Sequence, residues 1–273
     1  MNYRHIYHAG NFADIFKHLL LRMTLGYLQN KEKPLFALDA FGGLGLYDLN
    51  AGAAQRTLEY AEGVESFMAS SFSNPDLIDF QNVLKPYWRL KTYPGSPLLM
   101  AEMLRDQDRG FANELHREDI ERLRANLKGF KNFKALHLDA YDAIRGHIPP
   151  VEKRGLILID PPFERKDEFE VLAREMEEWQ KRFATGCYMI WYPVKANSAT
   201  HEIFEAAKQL DFKRVWVTEF LKSPRHQPDS FNGCGVMILN TPFQIPERVE
   251  ALSEELRQSL NGLEIVSQWL TDP

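Results

Sequence analysis

Asp160-Pro161-Pro162-Phe163 follows directly on the apolar run Gly155 to Ile159. A short apolar run bounded by turn residues reads as a buried strand, and in an open α/β sheet the ligand crevice lies beyond the carboxyl ends of the strands. Two consecutive prolines fix φ and remove two donors, leaving a rigid turn whose carbonyls point outward. The Asp160 carboxylate and the Pro161 carbonyl then form two acceptors at fixed separation, suited to gripping an exocyclic NH₂. The Phe163 ring can stack on the flat base that carries such an amine. Asp160, Pro161 and Phe163 are the candidate catalytic residues; the plainer alternative is a Pro-Pro that only ends a strand.

Three further groups bear on the same chemistry. Asp39-Ala40-Phe41-Gly42-Gly43-Leu44-Gly45 is a glycine-rich turn behind the apolar run from Leu35, and it lets a ligand approach the backbone. It lacks the G-x-G-x-x-G spacing and no helix follows at once, which disfavours a nicotinamide dinucleotide; the Walker lysine is also absent. Glu114 closes the next run, where a carboxylate can take both hydroxyls of a ribose, and Asp139 with Ala140 closes the third, where a carboxylate and a backbone amide can receive an adenine edge. Near the N-terminus stand Tyr3-Arg4-His5, His8-Ala9-Gly10-Asn11, Asp14, Lys17 and His18. Without cysteines or further spaced ligands these predict no metal site. Lys17 and His18, near the start of a helix whose face is Ile15, Leu19 and Met23, could hold the carboxylate of a bound amino acid.

The elements that must position these residues alternate. Strands are expected at Leu35 to Asp39, Phe111 to Leu115, Ala135 to Asp139, Gly155 to Asp160, Cys187 to Tyr192, Arg214 to Phe220 and Gly235 to Asn240. Between them Phe169, Leu172, Met176, Trp179 and Phe183 form one helix face, as do Ile120, Leu123 and Leu127, and later Val249, Leu252, Leu256 and Leu260. This predicts an α/β fold: a seven-stranded, mainly parallel sheet with helices on both faces. The last two strands, joined by Lys222 to Asn232 without a helical period, should be antiparallel. Residues 47–91 carry no strand signal, so the expected division is one domain of 1–46 and 92–273 with a helical insertion at 47–91. The insertion is either a cover for a sheet edge or a cap that helps hold a large substrate.

The chain has 273 residues, 44% hydrophobic and 26% charged, which excludes disorder, collagen and coiled coil as the main structure. No stretch approaches the ~18 to 20 apolar residues of a membrane span, and charged residues interrupt the first 30 positions, so neither anchor nor signal peptide is expected. Cys187 and Cys234 lack framework spacing and read as buried thiols in a reducing cytoplasm. With a net charge of −5, any nucleic-acid contact must come from local basic patches. Candidates are Arg4 and His5 beside Tyr3, Lys17, and Lys222, Arg225 and His226 between the last two strands.

The order glycine loop, acid, acid, D-P-P-F is that of a Rossmann-like methyltransferase acting on a nucleobase amine. His8-Ala-Gly-Asn, Lys17-His18, Pro94-Gly-Ser-Pro97, Asn113-Glu-Leu-His116, Arg154 to Pro162, Arg182-Phe-Ala-Thr-Gly186 and Trp191-Tyr-Pro-Val194 together resemble the bacterial large-subunit ribosomal RNA methyltransferase J family, from Tyr3 to about Asn240. The resemblance implies S-adenosylmethionine as methyl donor and the N6 amine of one adenine in 23S ribosomal RNA as acceptor. It makes Asp160 the proton or hydrogen-bond acceptor and a cofactor contact, His18, Phe41, Ser96, Glu114, Asp139 and Ala140 further cofactor contacts, and Tyr3, with Arg4 beside it, substrate contacts. It also implies a cytoplasmic protein, and a monomer is expected. Phe41-Gly42 stands where the family has His-Ala, leaving Phe41 only backbone or stacking contact, and Phe163 stands where the family has tyrosine. The other readings are methylation of DNA adenine, of guanine N2 or of a protein glutamine, or a non-catalytic part in the use of external DNA.

Overall fold

In the computed structural model, which describes residues 5–228 and 230–272, the chain opens on a 3₁₀ turn, His5–Tyr7, and helix α1, Phe12–Gln29. The Asn11 side chain caps α1 by accepting from the Asp14 backbone amide at 3.0 Å. Apolar residues lie all round α1, and nearly the whole helix is buried, packed against other helices and the sheet. Next come β1 (Phe36–Asp39), β2 (Leu46–Asp48), α2 (Gly52–Thr57), a 3₁₀ turn (Glu59–Ala61), α3 (Val64–Ala69), α4 (Pro75–Arg89), β3 (Thr92–Pro94), α5 (Ser96–Met103) and β4 (Arg109–Asn113). The second half is α6 (Arg117–Leu127), β5 (Phe133–Leu136), α7 (Ala140–His147), β6 (Gly155–Ile159), α8 (Glu168–Phe183), β7 (Cys187–Val194), α9 (Thr200–Gln209), β8 (Trp216–Leu221), β9 (Gly233–Leu239), α10 (Ile245–Ser259) and β10 (Glu264–Trp269).

The main sheet has eight strands in the order β10-β8-β9-β7-β6-β1-β4-β5. β1 pairs in parallel with both β4 and β6, and its last residue, Asp39, registers with Ala112 on one side and Leu158 on the other. The chain leaves β1 toward β4 and β5 and returns to β6 on the opposite side. The direction of winding therefore reverses between β1 and β6, where open sheets hold their ligands. β8 and β9 are antiparallel, as the loop between them predicts. Two apolar cores lie on the two faces: one around α1, α5 and α10, the other around α7, α8 and α9.

The expected strand list needs correcting in four places. An eighth strand, β10, lines the edge against β8; most of its residues are at least partly exposed, so it carries no apolar run. The second, third and last of the expected strands begin two residues earlier than expected, and Asp139, three residues beyond the end of β5, caps α7 instead of ending a strand. β8 likewise begins at Trp216, because Arg214 adopts a left-handed turn. Finally, β2 pairs antiparallel with β3 at the two ends of the 47–91 segment, a contact too short to leave a periodic signal. Phe67, Leu77, Phe80 and Leu84 of that segment join the same core as α1. Among the described residues no helix is long and apolar enough to cross a membrane.

Candidate active site

A cavity of about 1000 Å³ opens at the carboxyl ends of β1, β4 and β6. All nine candidate residues that fall among the described ones line it: His18, Phe41, Ser96, Glu114, Asp139, Ala140, Asp160, Pro161 and Phe163. Tyr3 and Arg4 lie outside the described residues.

The glycine turn depends on its glycines. Gly43 and Gly45 have φ of +60° and +75°, and a Cβ on Gly43 would lie 2.2 Å from the Tyr47 hydroxyl oxygen. The turn is bound to its neighbours: Gly42 N–H donates to the Asn113 carbonyl at 2.7 Å, and Gly43 N–H to Glu114 Oε2 at 3.0 Å. Glu114 Oε1 also accepts the His116 N–H at 2.6 Å. Burial raises the Glu114 pKa, and these two amides act against the rise. Asp139 Oδ1 caps α7 through the amides of Tyr141 and Asp142, so the cap uses one of its two carboxylate oxygens, and Ala140 N–H, at the first helical position, lies outside the helix ladder. Buried Asn113 holds these loops in place: its amide donates to the carbonyls of Ala40 and Leu138, both at 3.1 Å, and its oxygen accepts from Leu138 N–H.

At the opposite wall Asp160 forms an ion pair with Lys17, whose ammonium also meets Asp14 Oδ1 at 2.9 Å. Asp14 Oδ2 accepts from Gly10 N–H and bonds His5 Nε2, each at 2.9 Å. Burial alone would lower the Lys17 pKa, but Asp14 and Asp160 hold it well above the ordinary value. Lys17 is thus not the surface cation for RNA phosphate that its type suggests: it is 3% exposed and neutralised by two carboxylates. It also lies more than a turn inside α1, beyond the reach of the helix terminus. His18 is corrected in the same way. Burial lowers its pKa to about 3, so it offers a hydrogen bond and no charge. Its Nδ1 pairs with the Tyr93 hydroxyl at 2.8 Å, while its buried Nε2 has no hydrogen-bond partner.

Phe163 adopts a left-handed φ of +49° and is held by Phe169 at 4.9 Å and by the edge of Trp191 at 6.0 Å between ring centroids. Phe41 N–H donates to Asp39 Oδ1 at 3.2 Å, and its ring meets the edge of Tyr141. Asp39 is fully buried; burial raises its pKa to about 6, Ser96 acts against the rise, and its Oδ2 has no hydrogen-bond partner. Asp39, Asn113 and Trp191 were not among the candidates, though all three stand within the motifs that pointed to the site. Phe231, also missed, lines the cavity from the β8–β9 loop, packed on Phe12 at 5.5 Å. Of the basic residues expected in that loop, Lys222 donates to the Leu260 carbonyl at 2.8 Å and Arg225 pairs with buried Glu219.

A reversal of winding beside a glycine turn, acids beyond the next two strands and D-P-P-F across the crevice define a Rossmann-like methyltransferase. The chain belongs to the family described as Ribosomal RNA large subunit methyltransferase D, RlmJ, which it matches over residues 32–271. It is 34% identical to Ribosomal RNA large subunit methyltransferase J of Haemophilus influenzae, over 95% of this chain and 94% of the relative. Identity to the protein of the same name from Escherichia coli is 32%, over 95% and 94%. Among solved structures, protein LPL1258 from Legionella pneumophila superposes with a TM-score of 0.86 at 33% identity, over 96% of this chain and 97% of that one.

Proposed function

We propose that this chain transfers a methyl group from S-adenosylmethionine to the N6 amine of one adenine in 23S ribosomal RNA, acting as a cytoplasmic monomer. Residues 1–46 and 92–273 form the catalytic domain and 47–91 an insertion into it. The observation that carries the reading is the Asp160 carboxylate, fixed by buried Lys17, in the same cavity as the glycine turn and Glu114.

The residues fit the cofactor. The glycine turn brings bare backbone to the cavity wall, and His18 Nε2 is a buried polar atom without a hydrogen-bond partner in the same wall. Glu114, oriented by two backbone amides, keeps lone pairs for ribose hydroxyls. Asp139 Oδ2 and Ala140 N–H present an acceptor and a donor to an adenine edge. When bound, S-adenosylmethionine supplies a methyl group on a sulfonium.

An adenine amine is a weak nucleophile because its lone pair is delocalised into the ring. Asp160 and the Pro161 carbonyl accept its two hydrogens, which draws the nitrogen toward a tetrahedral, nucleophilic geometry. Lys17 pairs with Asp160 and fixes its direction, so one carboxylate oxygen is aimed before substrate arrives. The base must leave its stack, at a cost of a few kcal/mol, which stacking on Phe163 partly offsets. Loss of the tyrosine hydroxyl at this position leaves that stacking intact. The test is incubation of unmodified 23S ribosomal RNA with the protein and labelled S-adenosylmethionine, followed by nucleoside mass spectrometry. N6-methyladenosine is expected; label in N2-methylguanosine, in protein or nowhere would overturn the reading.

A further inference from the structure

The segment from His5 to Asn11, which lines the cavity, is held on one side by Asp14 of α1 and on the other by residues 57–64. The Glu59 carboxylate bonds both ends of the His8-x-x-Asn11 motif: Oε1 meets His8 Nδ1 at 2.9 Å, and Oε2 accepts from Asn11 Nδ2 at 3.0 Å. Thr57 Oγ1 donates to the Tyr7 carbonyl at 2.5 Å, and Val64 N–H to the Gly10 carbonyl at 2.8 Å. The two backbones touch: a Cβ on Gly63 would lie 2.0 Å from the Gly10 carbonyl oxygen, so only glycine fits there. Leu58, just before Glu59, takes a left-handed φ of +54°, a conformation a leucine adopts only when its surroundings impose it.

The contact continues to the catalytic acid. Asn11 Nδ2 donates to Glu59 while its Oδ1 accepts from Asp14 N–H; Asp14 grips His5, Gly10 N–H and Lys17; Lys17 pairs with Asp160. Through one side chain, the 47–91 segment reaches both the N-terminal strap and the cap of the helix that carries Lys17.

We propose that Glu59 is a positioning residue for methylation: it clamps residues 5–11 over the substrate side of the cavity, and presenting that clamp is a function of the 47–91 segment. The proposal deepens the ribosomal RNA reading and rests on it for its activity arm. Because Glu59 touches neither the glycine turn nor Glu114, Asp139 or Ala140, the cofactor half of the cavity should not feel its loss.

The experiment compares wild type, Glu59→Ala, Glu59→Gln and, as a control in the same segment, Asp79→Ala, whose carboxylate meets Arg22 on the protein surface at 3.1 Å. Without substrate, hydrogen exchange at the amides of Asn11 and Val64 should quicken at least ~10-fold in Glu59→Ala and stay unchanged in Asp79→Ala. With 23S ribosomal RNA, Glu59→Ala should lose ~10-fold or more in kcat/KM, mainly through KM, with S-adenosylhomocysteine affinity within twofold and Tm little changed. Glu59→Gln, which keeps one acceptor oxygen, should recover part of the loss. Unchanged exchange, wild-type kcat/KM, or cofactor affinity and Tm falling in step with activity would each overturn the proposal. Exchange needs no RNA, so a wild-type protein inactive on ribosomal RNA fails the functional reading while the exchange result still decides the clamp.

Discussion

Lys17 is an ammonium buried between two carboxylates, so either acid alone still balances its charge, whereas loss of Lys17 would leave both acids without their cation. Asp160→Ala removes the proposed acceptor for the amine and leaves Lys17 paired with Asp14 alone. Turnover on ribosomal RNA should fall ~10²-fold or more, the usual scale for such groups, with little change in S-adenosylhomocysteine affinity by calorimetry; turnover within twofold of wild type contradicts the role. Asp39 is the second buried acid whose charge is consequential. Burial raises its folded pKa to about 6, from the ordinary carboxylate value of 3.8. An acid raised on folding binds its proton more tightly in the native state. Stability is therefore greatest below the unfolded pKa and falls as pH rises from about 4 to 6, with the full cost, roughly 2–3 kcal/mol, present above that. Asp39→Asn keeps the acceptor for Phe41 N–H and removes the charge. Denaturant unfolding should show it more stable than wild type at pH 8, with the gap narrowing as pH falls toward 5. A gap that does not change with pH would mean that Asp39 is not the group whose titration matters.

The glycine turn after β1 shows how much of the site is written at the level of elements. Gly43→Ala must place a side chain at φ +60° and within 2.2 Å of the Tyr47 hydroxyl oxygen, so a loss of at least ~1 kcal/mol in stability, with ~10-fold weaker cofactor binding, is expected. Adding Tyr47→Phe removes the clashing oxygen and should restore the packing part but not the backbone part; full restoration would show that the positive φ costs nothing. The turn, Glu114 and D-P-P-F were legible because each stands at the end of an apolar run, and the run announces the strand. Asp139 was expected to close a strand, whereas it stands three residues beyond β5 and its carboxylate caps α7. The pairing of Lys17 with Asp160 was not legible at all: the residues are 143 apart in the chain, and a lysine on a helix gives no sign that it is buried. Phe231 was hidden for a related reason, a lone aromatic in a polar loop. That loop is fixed by buried Asn232, whose amide donates to the carbonyls of Arg225 and Gln227, both at 2.9 Å.

Across the whole molecule, period and alternation yielded the layered α/β architecture, because a central strand such as β1 is buried on both faces and reads as continuous apolar residues. They did not yield β10, an edge strand whose mostly exposed residues need no such run. Charge follows neither pattern. A chain with a net charge of −5 must meet a polyanion through the few cations that face the cavity mouth and are not already spent on carboxylates. Of those lining the cavity, Arg165 pairs with Asp167 at 2.8 Å and Lys222 meets Glu62 at 3.5 Å. Lys195 is exposed just beyond β7, the strand beside β6, and forms no ion pair among the described residues. Its ammonium is therefore available to a phosphate without first breaking a pair. Lys195→Ala should weaken binding of 23S ribosomal RNA fragments, and the slope of log K against log salt should become shallower by ~0.7 to 0.9, the release of one counterion. Arg165→Ala, which also frees Asp167, should change the slope less. S-adenosylhomocysteine affinity should be unaffected in both, since neither residue touches the glycine turn or Glu114. Equal slopes in wild type and Lys195→Ala would remove Lys195 from the RNA path and leave the phosphate contacts to be sought elsewhere on the rim of the cavity.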